Sequence, residues 1–258
     1  MEDKKISFAY RIIRGLVRLL YGKVAVVGAE NLPDGPCIVV GNHCQMNGPI
    51  AGELFFPGPH YIWCAGEMMH LSDVPAYAYK DFWSQKPKAV RWLYRIASYL
   101  IAPLAVCIFN NAHCIGVYRD TRIISTFRET VEKLDAGYRV IIFPEHDPPY
   151  NNILSTFQDR FVTVARQYYR RSGQTVSFVP LYIAPTMHTM YLGRPVAFDP
   201  SVPNREECRR VCDELTQRIT DLATGLPLHR VVPYRNIPKT QYPYNLPLEV
   251  YSHDEADG

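Results

Sequence analysis

Short apolar runs alternate along the chain with stretches whose apolar residues recur at helical spacing. Runs rich in β-branched and aromatic residues predict strands at residues 24–28, 37–40, 60–65, 112–118, 139–143, 176–183 and 190–198. Helical spacing predicts helices at residues 6–21, 49–56, 88–109, 123–135, 157–171 and 204–224. This alternation indicates an α/β protein with a single mixed sheet, flanked by helices, whose ligand crevice lies beyond the strand ends.

Two of the helical segments suggest contact with a membrane. Residues 6–21 place bulky apolar side chains at helical spacing and interleave them with Arg11, Arg14 and Arg18, which suits a lipid headgroup layer. Residues 88–109 begin basic and aromatic and then become apolar, interrupted by Pro103, as is typical of an interfacial or buried helix kinked at the proline. Each segment has the alternative of packing on the domain. Together they favour a peripheral or monotopic membrane contact.

The chain divides into three parts by composition. We expect an N-terminal amphipathic membrane-contact helix at residues 1–23, an α/β domain at residues 24–226, and a tail at residues 227–258. The tail is rich in proline and tyrosine and ends in acidic residues, a composition typical of an extended strap with a disordered tip.

The net charge and the cysteine pattern indicate which binding partners and which cellular compartment to expect. The formal net charge of +3 is too small to indicate nucleic acid, and we expect none as a partner. The seven cysteines include no Cys-x-x-Cys pair and follow no secretory leader, which favours reduced thiols in the cytosol. Cys208 and Cys212 share a helix face, but no histidine stands at ligand spacing nearby, so no metal is expected. The cytoplasmic face of a membrane is the predicted location.

A histidine lies just beyond a short strand that is predicted to be buried. Pro36 and Gly41 bound the apolar run, and the chain then turns through Asn42 and His43. A histidine just beyond a buried strand is a candidate general base, and the alternative is a turn residue that caps the strand.

Three more short motifs follow in order, each at or near the end of a predicted strand: residues 116–119 (GVYR), 143–145 (FPE) and 179–185 (VPLYIAP). Together with Asn42-His43 they resemble the four sequence blocks of the glycerophosphate and lysophospholipid acyltransferase superfamily, over about residues 25–200. The resemblance implies transfer of a fatty acyl group from acyl-CoA or acyl carrier protein to a glycerophosphate or lysophospholipid-type hydroxyl. It implies a lipid substrate, acyl carrier protein as an alternative partner, and no cofactor besides the thioester co-substrate.

The resemblance makes His43 the base, but the carboxylate that orients it in the family is missing. The family pattern is His-x4-Asp, and Gly48 occupies the aspartate position. Three explanations stay open. Asn47 could hydrogen-bond the ring without charge, Asp147 or Glu145 could reach it from a neighbouring loop, or the site no longer catalyses. Asp147 could supply the missing charge, whereas Asn47 could not.

The other blocks imply residues that bind the acceptor. Arg119 matches the family's phosphate-binding arginine, since a guanidinium meets phosphate oxygens two at a time. Glu145 would organise the arginine or the acceptor hydroxyls, while His146 replaces the family's glycine and is a second candidate base. The competing hypothesis is a catalytically silent relative that binds lipid or a protein partner. A soluble hydrolase is disfavoured because no Gly-x-Ser-x-Gly elbow is present.

Overall fold

Seven strands form one mixed sheet, as the sequence predicts. The computed structural model describes residues 6–83 and 87–246, except for the side chains of residues 81, 82 and 147–150. The strands are β1 (Ala25–Val27), β2 (Cys37–Gly41), β3 (His60–Ala65), β4 (Cys114–Val117), β5 (Arg139–Ile142), β6 (Glu145–Tyr150), β7 (Ser155–Phe157), β8 (Ser177–Ala184) and β9 (Thr189–Leu192). The sheet order is β1-β9-β8-β2-β5-β3-β4, and β6 and β7 form a separate antiparallel pair.

Five neighbouring strands of the sheet point the same way. β8, β2, β5, β3 and β4 pair in parallel. β9 runs antiparallel to β8, and β1 pairs in parallel with β9. Parallel strands end at one edge of a sheet, and the segments that follow them line that edge. The loops after β2, β5 and β4 therefore open on the same side of the molecule.

Helices cover both faces of the sheet. They are α1 (Phe8–Tyr21), α2 (Asn47–Phe55), α3 (Val74–Ala78), α4 (Arg91–Asn111), α5 (Ile123–Asp135), α6 (Thr163–Ser172) and α7 (Asn204–Thr224). All five residues of β2 are buried, and they alternate between the two faces: Ile38 and Val40 pack with α5, α6 and α7, while Cys37 and Val39 pack on the side of α2. β2 is thus buried along its whole length, and the loop that follows it begins at a buried strand end.

The predicted strand at residues 190–198 is shorter in the structure. β9 ends at Leu192, and Val196 makes only an isolated bridge to Phe178. Pro195 interrupts the pairing because it has no backbone N–H to donate.

Two helices expose large apolar side chains. α4 buries Ser98, Ala102 and Ala105, while Tyr99 and Leu100 are 70% and 75% exposed. Among the described residues, Lys88–Asn111 is the one helix long and apolar enough to cross a membrane, and 17% of its most apolar stretch is buried.

The N-terminal helix also exposes large apolar side chains. α1 packs on α2 through Tyr10, whose hydroxyl donates to Glu53 at 2.7 Å, while Leu20 is 87% exposed. The backbone N–H of Ser7 donates to Oδ1 of Asn111 at 2.8 Å, so α1 and α4 are neighbours.

The described part of the C-terminal tail folds back over the domain. Residues 227–246, called the C-terminal strap below, bury Val231, Val232 and Tyr242. The hydroxyl of Tyr182 in β8 lies 2.8 Å from Nε2 of His229, which joins the strap to the core. The predicted disordered tip, which ends the tail, lies outside the described residues.

Candidate functional site

Asn42 fixes the loop that follows β2. Its side chain is buried and bonds both main-chain groups of one residue in β8: Oδ1 accepts from Ile183 N at 2.7 Å, and Nδ2 donates to Ile183 O at 2.9 Å. An asparagine suits this task because its amide carries a donor and an acceptor side by side. The residue before His43 is therefore held on two sides to the neighbouring strand.

The turn after His43 is strained. Cys44 and Gln45 both have positive φ angles, +47° and +57°, which are uncommon for residues other than glycine. Such strain persists only where the surroundings hold it, and it is frequent at functional sites. Here the Asn47 amide donates to Cys44 O at 3.0 Å, and Gln45 Nε2 donates to Arg235 O of the strap at 3.1 Å.

Two aromatic rings enclose the imidazole of His43, which is half-buried. Phe143, directly after β5, lies 5.7 Å away between ring centroids at an interplanar angle of 70°. Tyr234 of the strap lies 5.6 Å away at 84°. Both are edge-to-face contacts, the arrangement that aromatic pairs favour. The ring therefore sits between the sheet edge and the C-terminal strap.

Glu145 is buried and joins two segments through their main chains. Its carboxylate accepts from His43 N at 2.5 Å and from Ser155 N at 2.9 Å. Burial raises the pKa of Glu145 to about 7, and the two backbone donors oppose that rise by stabilising the anion. These bonds tie the His43 loop to the β6–β7 pair. The expected contact of Glu145 with the arginine or the acceptor hydroxyls stays a prediction.

Gly48 lies where the chain leaves no space for a side chain. Its backbone N–H donates to His43 O at 3.0 Å at the start of α2. A Cβ on Gly48 would lie 2.4 Å from His43 O and 3.0 Å from Asn42 O, both of them main-chain atoms. The glycine is therefore required by the close approach of α2 to the loop, and an aspartate there would need a different backbone.

The remaining predicted residues have distinct positions. The Asn47 side chain donates from Nδ2 to Cys44 O, and its Oδ1 accepts from the Tyr21 hydroxyl at 3.2 Å. Arg119 is exposed just after β4, three strand spacings from β2, which corresponds to about 14 Å. The side chain of Asp147 lies outside the described residues, so its suggested pairing with His43 stays a prediction.

His146 belongs to a different surface. It is half-buried and lines a groove of about 540 Å³ whose polar walls include Asp159, Arg160, Arg209 and Asp213. Successive residues of a strand point to opposite faces, so His146 and Glu145 diverge. Among the described residues, no group of three His, Cys, Asp or Glu side chains is arranged to hold a metal ion.

The sequence patterns did not indicate Tyr234 as a site residue. The abundance of tyrosine in the tail was visible, but no local pattern shows where an irregular segment packs. The contact with His43 spans most of the chain and depends on the folded sheet.

Comparisons with known proteins gave one similar solved structure to report. No protein-family model matches the sequence, and no curated protein matches it. Among solved structures, the chain is similar to the crystal structure of the 1-acyl-sn-glycerophosphate (LPA) acyltransferase PlsC from Thermotoga maritima. The two share 20% sequence identity with a TM-score of 0.48, over 86% of this chain and 83% of that one. At this level the similarity carries no inference about activity, which has to be argued from the residues of this chain.

Proposed function

We propose that the protein is a membrane-associated acyltransferase that moves a fatty acyl group from an acyl thioester to the hydroxyl of a glycerophosphate or lysophospholipid. The observation that carries this proposal is the direct bond between two of the sequence blocks. Glu145, after β5, holds the main chain of His43, after β2, at the edge where five parallel strands end. A base on a buried, clamped loop at that edge is suited to proton transfer.

The reaction would use His43 as general base. Its imidazole removes the proton of the acceptor hydroxyl as that oxygen attacks the thioester carbonyl carbon, and a C–O bond forms. The C–S bond then breaks, and the imidazolium returns the proton to the departing thiolate. Glu145 and Asn42 stay away from the reacting atoms and keep the His43 loop in place.

Arg119 is proposed to bind the acceptor phosphate. It is an exposed guanidinium at the same sheet edge as His43, and the separation of about 14 Å between β2 and β4 leaves room for a glycerophosphate between the two side chains. The nearby Arg122 forms a 2.8 Å ion pair with Asp120, and its Cζ lies 4.1 Å from the ring centroid of Tyr118.

Membrane association is proposed through α1 and α4. Their outward faces carry bulky apolar side chains, which a surface helix in a water-soluble domain normally turns toward the core. Trp92 and Tyr99 suit the interfacial depth of a bilayer, and the arginines of α1 suit anionic lipid. The cytoplasmic face fits the reduced cysteines.

Activity is tested with purified protein in detergent, supplied with acyl-CoA or acyl carrier protein thioesters and a panel of lysophospholipids and glycerol phosphate. His43→Ala should lower turnover about 100-fold or more, because the general base is lost. His188→Asn is the matched control, since His188 is exposed with a left-handed backbone that asparagine tolerates. Arg119→Ala should raise KM for phosphate-bearing acceptors. Measurable turnover that His43→Ala leaves unchanged would refute the assignment of the base.

A second candidate function is a catalytically silent lipid-binding relative. It is favoured by Gly48, where the backbone excludes the carboxylate of the resembled family. No turnover with any donor, combined with lysophospholipid binding that survives His43→Ala, would support this function over catalysis.

Vesicle flotation tests the membrane proposal separately. Leu19→Glu with Leu20→Glu, or Tyr99→Glu with Leu100→Glu, should reduce flotation with vesicles of phosphatidylcholine and phosphatidylglycerol. Leu228→Glu is the control, because Leu228 is 64% exposed on the strap rather than on α1 or α4. Equal flotation of all variants would refute docking through these helices.

A further inference from the structure

We propose that Tyr234 of the C-terminal strap is a positioning residue for His43 and that it acts through the packing of its ring against the imidazole. The inference rests on the proposed function insofar as His43 acts as a base. It adds a residue outside the four sequence blocks and makes the strap part of the site.

The first support is the geometry around the imidazole. Tyr234 and Phe143 both meet His43 edge-to-face, at 5.6 and 5.7 Å between centroids. They come from different parts of the fold, the strap and the end of β5. Because the two rings lie against the imidazole from separate elements, rotation of the His43 side chain moves it against one ring or the other. Removal of Tyr234 takes away one of these constraints.

The second support is the rigidity of the segment that carries Tyr234. On one side of it His229 bonds Tyr182 of the core, and Val231 N donates to Pro243 O at 2.8 Å. On the other side Tyr242 is buried, and Asn245 Nδ2 donates to Ala223 O at 2.8 Å. The strap is thus attached to the domain before and after Tyr234, so its ring is presented from a fixed support.

The third support is a direct link between the strap and the strained turn. Gln45 Nε2 lies 3.1 Å from Arg235 O and 3.2 Å from the hydroxyl of Tyr242, and Gln45 is one of the two residues with positive φ. The strap therefore contacts the His43 loop at its backbone as well as at its ring. A strained turn needs such restraints to keep one conformation.

Position 48 of the His43 loop has no room for a side chain. A side chain on residue 48 is excluded by the main chain of His43 and Asn42, as its Cβ would lie 2.4 Å from His43 O. Orientation by an aspartate at that position is therefore impossible in this backbone. The edge-to-face contacts with Phe143 and Tyr234 act on the ring from residues outside the His43 loop, and Tyr234 is the one that belongs to the C-terminal strap.

The experiment compares the full chain with Tyr234→Phe, Tyr234→Ala and the control Tyr244→Ala, whose ring stacks on Arg230 at 4.0 Å. Tyr234→Ala should lower kcat by about 10- to 100-fold with KM nearly unchanged, because misplacement of a base slows chemistry rather than binding. Tyr234→Phe should restore most of kcat, since the ring is kept, and Tyr244→Ala should resemble wild type. Circular dichroism melting curves check that the variants fold. If Tyr234→Ala does not fold, Tyr234→Leu replaces it with the same expectation.

A second readout needs no turnover. The rate at which diethyl pyrocarbonate modifies His43, followed by peptide mass spectrometry, should rise severalfold in Tyr234→Ala and stay near the wild-type rate in Tyr234→Phe and Tyr244→Ala. If wild type shows no acyl transfer, the proposed function fails while this measurement still decides the positioning role. Unchanged kcat and unchanged modification in Tyr234→Ala would overturn the inference. So would higher kcat in that variant, or a Tyr234→Phe variant as impaired as Tyr234→Ala.

Discussion

Replacement of Gly48 by alanine is the most direct test of how the His43 loop is held. The added methyl would lie 2.4 Å from His43 O, whereas ordinary contacts of a Cβ begin at 3.4 Å, so the two backbones must separate by about 1 Å. The neighbours that must move are main-chain atoms. The Gly48 N–H bond to His43 O, 3.0 Å long, would be stretched by the same shift.

The expected magnitude follows from two opposing terms. Overpacking of a well-packed site destabilises by about 1–3 kcal/mol. Alanine in place of glycine in a helix stabilises by up to about 1 kcal/mol. With the full alanine gain subtracted, the net loss for Gly48→Ala is up to about 2 kcal/mol, or up to roughly 8 °C in Tm for a chain of this size. Turnover should fall as well, because the carbonyl that moves belongs to the proposed base.

Gly52→Ala is the matched control, since Gly52 lies in the same helix. Its Cβ would meet side-chain ends only, Ile62 Cδ1 at 3.2 Å and Ile141 Cδ1 at 3.6 Å, which can shift. We expect Gly52→Ala to stay within about 0.5 kcal/mol of wild type or to be slightly more stable. Chemical denaturation followed by circular dichroism measures both variants. Equal stability of the two variants would contradict the reasoning, and so would a Gly48→Asp variant with higher turnover than wild type.

Three further predictions concern buried polar groups near the site. Glu145 has its pKa raised to about 7 from 4.5, so its ionisation should remove up to about 3 kcal/mol of stability as the pH rises from 4.5 through 7. When the free energy of unfolding is measured by urea denaturation at pH 5 and pH 8, Glu145→Gln should lack this loss of stability. An identical pH dependence in wild type and Glu145→Gln would contradict the prediction. Asn42→Ala loses two hydrogen bonds to Ile183 and should be destabilised by about 1–3 kcal/mol, measured by thermal unfolding. Burial raises the pKa of Cys44 well above its ordinary value, so iodoacetamide should label this thiol only after unfolding; rapid labelling of the native protein would show that the loop opens.

Elements with strong local periodicity were predictable from the sequence. The predicted helices at residues 123–135 and 204–224 and the strand at residues 60–65 coincide with α5, α7 and β3. Their apolar spacing encodes which face is buried, and that preference does not depend on the partner. The α/β class and the mixed sheet followed from the same alternation.

Elements whose existence depends on a distant partner were not predictable. The β6–β7 pair was not expected, since β6 contains Pro148 and Pro149 and reads as a loop. The strap was expected to lie on the surface, but its place against His43 carries no local signal. Both are settled by packing against parts of the fold that are remote in sequence.

The sequence by itself determined the order of the motifs, the strand ends at which they lie, and the substitution of glycine at position 48. Only the tertiary structure decided how they meet. Glu145 reaches His43 across 102 positions, Asn42 reaches Ile183 across 141, and Gln45 reaches Tyr242 across 197. Local preferences act over one or two turns of chain, whereas these contacts form only when parallel strands bring their ends to one edge. For the same reason, the close approach of α2 that leaves no room for a side chain at Gly48, and the ring of Tyr234 beside His43, exist only in the folded protein.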